Sequence, residues 1–299
     1  MPTLKDVELK IKAVKKTKQI TKAMNMVASS RLRGAQGNMD AFRPYAAKFG
    51  EVLGSLADKA GEEASPLLIP KEQVKKVNIL LCTSDRGLCG GFNANLITEA
   101  EKLADEKRAE GAEVDFTNFG KKGRDWCRSN SQTIADEYLG VVGTTFGFNV
   151  ASTSGRKLVE SFLTEEVDEV YVVFSRFISM AKQESTIQQI LPIPAFSVAG
   201  EEDEGAAADQ PFLAEHICEP SPDKLLGDLL PRNIYVQLFS ALLETSTSEH
   251  AARMMAMDNA TKACNDMIDN LTLAYNKARQ AAITADLMDI VGGAEALKG

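Results

Sequence analysis

Apolar and small side chains at the start of the chain recur at alternating intervals of three and four: Leu4, Val7, Ile11 and Val14, then Ala28, Leu32, Ala35, Met39, Phe42, Ala46, Phe49, Leu53, Leu56 and Ala60. That spacing is the seam of a helical coiled coil, held over roughly eight heptads. It predicts one long helix over residues 1–60. The seam weakens at Lys18, Thr21 and Asn25, where polar side chains take the register, while Ile20, Met24 and Val27 form a neighbouring stripe. A local change of packing partner is the expected cause. Gly34, Gly37 and Pro44 cost helix stability, Pro44 by removing one backbone bond, yet the seam keeps its register through them.

The far end repeats the pattern with Val236, Phe239 and Leu243, then Met257, Ala260, Cys264, Met267, Leu271, Ala274, Ala278, Ala281, Ala285 and Met288. A second long helix over 219–297 follows, with Ser221 placed to cap it and Pro222 at its first position. At about 1.5 Å per residue each helix spans on the order of 80 to 100 Å, longer than a globular core. The two must pair with each other or with other chains. The economical arrangement is an antiparallel coiled coil with a domain inserted between its helices.

That insertion, 71–210, alternates strand and helix: "VNILLCTS" strand, "NANLITEAEKLADEKRAEG" helix, "EVDFTNFG" strand, "KKGRDWCRSN" short helix, "ASTSGRKLVESFLTEEV" helix, then "EVYVVFSRF" and "STIQQILPI" as strands. The order predicts a Rossmann-like α/β sheet with helices on its faces. The acidic "AGEEDEGAAADQ", Ala199 to Gln210, reads as an exposed loop before the second long helix.

Composition narrows the function classes. The 299 residues are 44% hydrophobic and 25% charged, an ordinary globular balance. No apolar run reaches the ~18 residues of a membrane span, and the N-terminus lacks a secretory core, so the expectation is an intracellular protein. The net charge of -8 hides a basic arm: Met1 to Arg33 holds nine Lys and Arg against Asp6 and Glu8. Nucleic acid and an acidic protein surface are both open as partners of that arm, but no aromatic precedes Phe42, leaving base stacking unsupported. Five cysteines, Cys82, Cys89, Cys127, Cys218 and Cys264, form no C-x-x-C pair and read as free, mainly buried thiols.

The loop "SDRGLCGGFN" follows the first strand, where a phosphate cradle would sit. Gly87, Gly90 and Gly91 nevertheless lead into Phe92 and Asn93, without the lysine of a Walker loop and without the G-x-G-x-x-G spacing. A structural turn is the favoured reading, with Asp85 and Arg86 as a local pair or cap. His216 and His250 are too isolated for a metal site, and His250 reads as a helix packing residue. Met254, Met255 and Met257 suit packing or an adaptable contact. Arg279 and Gln280 fit either a solvated face or hydrogen bonds to a partner's carboxylates.

Four stretches, "TKQITKAMNMVASSRLR", "TSDRGLCGGFNANL", "SEHAARMMAMDNAT" and "LTLAYNKARQAAITADLMDIVGGAEAL", together resemble the gamma chain of bacterial ATP synthase, and the likeness runs from about Leu4 to Leu297. The resemblance implies a central-stalk rotor with no catalytic residue and no cofactor. Its terminal helices would turn inside a ring of alpha and beta subunits. Its α/β foot would stand on the membrane ring of c subunits beside the epsilon subunit, one copy per complex, at the cytoplasmic face of the inner membrane and away from nucleic acid. It further implies that Lys10, Lys15, Lys18, Lys22 and Met24 face acidic segments of the beta subunits, that Arg279 and Gln280 meet a catch loop, and that Ile283 to Leu297 turns in an apolar sleeve. Relatives with a Y-x-Y-E-P pattern before the second helix correspond here to His216, Ile217, Cys218, Glu219 and Pro220, so Glu219 is the matched contact residue and the aromatics are missing. No cysteine-bearing insertion of the chloroplast kind is present, so no thiol switch is expected. The alternative is a nucleotide-dependent α/β enzyme with coiled-coil oligomerisation arms, which needs a phosphate contact at Gly87 to Gly91.

Overall fold

The computed structural model describes residues 4–60, 65–71, 73–194 and 222–296. The acidic loop at 199–210, Ser221, His216, Cys218 and Glu219 lie outside them. In chain order the elements are α1 (Leu4–Ala60), β1 (Lys76–Cys82), α2 (Phe92–Ala109), β2 (Glu113–Phe119), α3 (Lys121–Ser129), β3 (Thr133–Tyr138), α4 (Phe148–Leu163), β4 (Glu169–Phe177), β5 (Gln183–Leu191) and α5 (Pro222–Ala296). The helix α1 runs on through Pro44, and α5 through Pro231. Two compact units divide the chain: Met1–Ser29 with Arg253–Gly299, and Ser30–Ala252.

The smaller unit is an antiparallel helix pair. The Thr21 and Thr261 hydroxyls lie 2.8 Å apart, and the Asn25 amide donates to the Met254 carbonyl at 2.8 Å, so rising numbers on α1 meet falling numbers on α5. Within the helix pair the seam stays with the polar positions. Thr21 is buried and Lys18 and Asn25 half-buried in the seam, whereas Ile20 and Val27 are 60% and 56% exposed. Polar side chains hold the register because each hydroxyl or amide there finds a partner across the pair or along its own helix. On α5 the half-buried positions after Cys264 are Asn265, Ile268, Leu271, Tyr275, Ala278 and Ala282; Met267, Ala274, Ala281, Ala285 and Met288 are exposed. Leu271 and Ala278 keep their predicted places, and elsewhere the seam shifts by one position, with Tyr275 burying more apolar surface than Ala274 would.

The larger unit is built on a five-stranded sheet in the order β3-β2-β1-β4-β5, parallel except for the antiparallel edge strand β5. The strand β3, "TIADEY", is absent from the sequence reading. Alternation along the central strands serves two cores. Val77, Ile79 and Leu81 of β1 pack with α2 and α3, while Leu80 and Cys82 face a core shared with α4, the end of α1 and Leu226 to Leu242 of α5. Gly155 of α4 lies so close to Tyr235 of α5 that a Cβ there would stand 2.3 Å from the ring. Further along, Ala252 of α5 packs against the other core, beside α2. The helix α5 thus passes from one face of the sheet to the other over the carboxyl ends of its strands.

Candidate partner surfaces and the glycine loop

A doubly wound sheet binds ligands where its strand order reverses, outside the carboxyl ends of the strands. Here that point lies between β1 and β4, and the loop leaving β1 carries the three glycines. Several of its polar groups are used internally, although Asp85 Oδ2 is buried without a hydrogen-bond partner among the described residues. Ser84 is fully buried; its N–H donates to Asn93 Oδ1 at 3.0 Å, its hydroxyl bonds the Arg86 carbonyl, and the Asn93 amide donates to Ser84 Oγ and Cys89 Sγ at 2.9 and 3.2 Å. Thr83 Oγ1 accepts from Gly123 N at 2.8 Å and Asp85 Oδ1 from Lys121 N at 3.1 Å, so the loop caps the start of α3. Asp85 is therefore a cap, on another helix rather than within its own turn.

Of the three glycines, Gly90 has the left-handed backbone, φ 60°, that glycine supplies without strain. A Cβ on Gly87 or Gly91 would meet only ordinary contacts, the nearest 3.9 and 3.5 Å away. Sequence reasoning missed Leu88. Its φ of 65° is a strained value for a leucine, and its side chain is 62% exposed. The loop holds an apolar side chain outward at a conformational cost.

His250 is 4% exposed, with Nδ1 3.0 Å from Glu249 Oε2, inside the α5 segment that crosses the strand ends. Cys82, Cys89 and Cys127 are buried free thiols and Cys264 is half-buried. Burial raises the Cys82 thiol well above its ordinary pKa. Among the described residues no group of three or more His, Cys, Asp or Glu could hold a metal ion.

The singled-out residues of the long helices lie on the smaller unit. Lys10, Lys15 and Lys22 are exposed, while Lys18 is half-buried in the seam and Met24 half-buried beside it. Lys12 pairs with Glu8 at 2.7 Å; no ion pair engages Lys10, Lys15, Lys18 or Lys22 among the described residues. At 3.6 residues per turn, Leu9, Ile20 and Val27 fall within about 20° of one another around α1, roughly opposite the seam. They are 56%, 60% and 56% exposed. Arg279 and Gln280 are exposed on α5, and from Ile283 to Ala294 every residue is exposed, among them Leu287, Met288, Ile290 and Val291. Exposed apolar side chains recurring on one outward side of a helix pair are of the kind that another protein covers.

The model of the ATP synthase family matches residues 3–297. The ATP synthase gamma chain of Desulfosudis oleivorans is 66% identical over 300 residues, covering 100% of each chain. The chain belongs to the ATP synthase gamma chain family. Another relative, from Nitratidesulfovibrio vulgaris strain Miyazaki F, is 56% identical over 299 residues, again covering 100% of each chain. Among solved structures, a chain of the Euglena gracilis mitochondrial ATP synthase rotor has a TM-score of 0.64 at 20% identity, over 94% of this chain and 98% of that one. A chain of the Tetrahymena thermophila mitochondrial central stalk and c-ring has a TM-score of 0.59 at 22% identity, over 81% and 99%. The fold, two long helices joined through an α/β sheet domain, is shared.

Proposed function

We propose that the chain is the central-stalk rotor subunit of a proton-translocating ATP synthase, a non-catalytic part that couples turning of the membrane ring to conformational change at the catalytic sites of the alpha and beta subunits. The observation that carries this reading is the outward face of the helix pair. Leu9, Ile20 and Val27 stand exposed opposite the seam, and lysines with no ion pair among the described residues flank them. Covering each such side chain stabilises a complex by about 2 kcal/mol. A shaft that presents different faces in turn to equivalent neighbours gives each a different interaction free energy, and that difference is what coupling requires.

Within this reading 1–60 and 219–297 are shaft and 71–210 is foot. Lys10, Lys15, Lys18, Lys22 and Met24 face acidic segments of the beta subunits, Arg279 and Gln280 hydrogen-bond a beta loop, and the exposed end of α5 turns against an apolar lining. The foot, with Glu219, meets the epsilon subunit and the c ring, one copy per complex, at the cytoplasmic face of the membrane. No described helix is long and apolar enough to cross a membrane, which suits a peripheral attachment. Nucleotide binding at Gly87 to Gly91 has no support from the loop's sequence, which lacks the phosphate-binding lysine, and Ser84, Thr83 and one oxygen of Asp85 are engaged by Asn93 and the start of α3. Deleting 282–299 from the chain in a reconstituted complex tests the shaft: ATP-driven proton pumping should weaken markedly, and unchanged pumping would refute the assignment of the tip.

A further inference from the structure

Residues Glu244 to His250 of α5, "ETSTSEH", are polar, yet all are buried except the half-buried Glu244. A polar helical segment enclosed on every side needs specific partners for its side chains. Those of Glu244, Thr245 and Ser248 are found on one strand, whereas Thr247 bonds the Leu243 carbonyl of its own helix and Glu249 lies against His250. The strand β4 pairs with β1 only as far as Val173, whereas its pairing with β5 continues to Phe177. Beyond Val173 the β1-facing edge of β4 therefore lacks a strand neighbour, and α5 stands in for it. Ser175 N donates to Thr245 Oγ1 at 3.4 Å, Ser248 Oγ donates to the Ser175 carbonyl at 3.1 Å, and the Phe177 N–H donates to the Glu244 carboxylate. The directions are chemically consistent, since the Thr245 hydroxyl gives its own proton to the Ala241 carbonyl at 2.7 Å and accepts with a lone pair. Arg43 of α1 and Arg176 of β4 supply positive charge near Glu244.

We propose that Thr245, Ser248 and Glu244 are positioning residues for torque: they continue the hydrogen-bond ladder of β4 with side chains of α5 and so fix that helix on the sheet in both rotation and axial register. The inference rests on the rotor reading above. Apolar packing between a helix and a sheet is non-directional and lets ridges slip between equivalent grooves. Hydrogen bonds from successive backbone groups of one strand to side chains three and four residues apart on one helix face admit a single register. The ladder sits where α5 crosses from one face of the sheet to the other, the place where a twisting load on the helix would lever it off the strand ends.

The test uses the whole ATP synthase reconstituted in vesicles, reading ATP-driven proton pumping against ATP hydrolysis in the same preparation. Thr245→Val with Ser248→Ala removes both hydroxyls and keeps the volume. Pumping per ATP hydrolysed should fall at least two-fold while hydrolysis persists, and Thr245→Ser with Ser248 intact should restore the wild-type ratio. An unchanged ratio, or pumping and hydrolysis falling in parallel, overturns the proposal. If the double variant does not assemble, Ser248→Ala alone decides by the same ratio. A complex assembled without this chain serves as the reference: pumping that persists there refutes the rotor reading itself, independently of the ladder.

Discussion

Thr21 of α1 and Thr261 of α5 face each other with hydroxyl oxygens 2.8 Å apart, and each hydroxyl is also within reach of a carbonyl on its own helix, Lys18 at 3.0 Å and Met257 at 2.7 Å. The pair substitutes a polar contact for an apolar knob in the seam. Removing one hydroxyl leaves a bonded partner behind, whereas removing both leaves an apolar seam. Thr21→Val or Thr261→Val alone should cost about 1 kcal/mol, and the double variant less than the sum. A thermal-denaturation double-mutant cycle checks this, and strict additivity would show that the hydroxyls do not interact.

The α4–α5 crossing depends on one missing methyl. Gly155→Ala drives a Cβ to 2.3 Å from Tyr235 Cδ1. Overpacking of this kind costs about 1–3 kcal/mol. Urea titration should register that loss, and adding Tyr235→Leu should recover part of it. A neutral Gly155→Ala would mean the helices part easily.

In the glycine loop, Gly90→Ala should destabilise by about 1–2 kcal/mol because its φ of 60° disfavours any L side chain. Gly91→Ala, with φ −79° and its nearest contact at 3.5 Å, should be close to neutral. Neither should alter ATP binding by the isolated chain, for which calorimetry should find none. Stoichiometric ATP binding abolished by Gly90→Ala would revive the enzyme reading.

Asp168 anchors the start of the sheet: it accepts from Lys75 N and Lys76 N at 2.8 and 2.9 Å and from Lys71 Nζ at 2.9 Å. Burial works to raise its pKa, but the Lys71 bond and the two backbone donors outweigh it, and the carboxyl titrates below its ordinary value. The folded form therefore binds this proton more weakly than the unfolded chain. The stabilisation is present above the ordinary carboxylate pKa and disappears as pH falls through the depressed one. Asp168→Asn should lose about 2 kcal/mol at neutral pH. The gap between variant and wild type should close toward pH 3; a gap independent of pH would assign the effect to packing.

The long helices were largely legible in the sequence because a seam repeats one rule many times, and Val7, Ala28, Leu32 and Met39 are buried as their spacing predicts, while Leu53 and Leu56 are buried in the core of the sheet domain. The rule fails where two stripes run side by side. Beyond Cys264 the predicted series and the observed one, Ile268, Leu271, Tyr275, Ala278 and Ala282, both keep threes and fours and share Leu271 and Ala278, so spacing alone does not choose between them. The strand β3 escaped notice because "TIADEY" lies at the sheet edge and carries two adjacent acids, so little apolar contrast marks it. The segment Glu244 to His250 was opaque for the opposite reason: enclosed on all sides, it has no polar face to set a period. Ile20 and Val27 stand exposed outside the seam, and apolar character alone does not say whether their partner is the same chain or another.

The central claim is that this chain turns inside its complex. A bead fixed to the sheet domain through an introduced cysteine on the exposed side of α2, on a surface-held ring of alpha and beta subunits, tests it in a single measurement. Adding ATP should set the bead rotating in one direction with pauses at three positions. A bead that stays still while the ring continues to hydrolyse ATP would contradict the account.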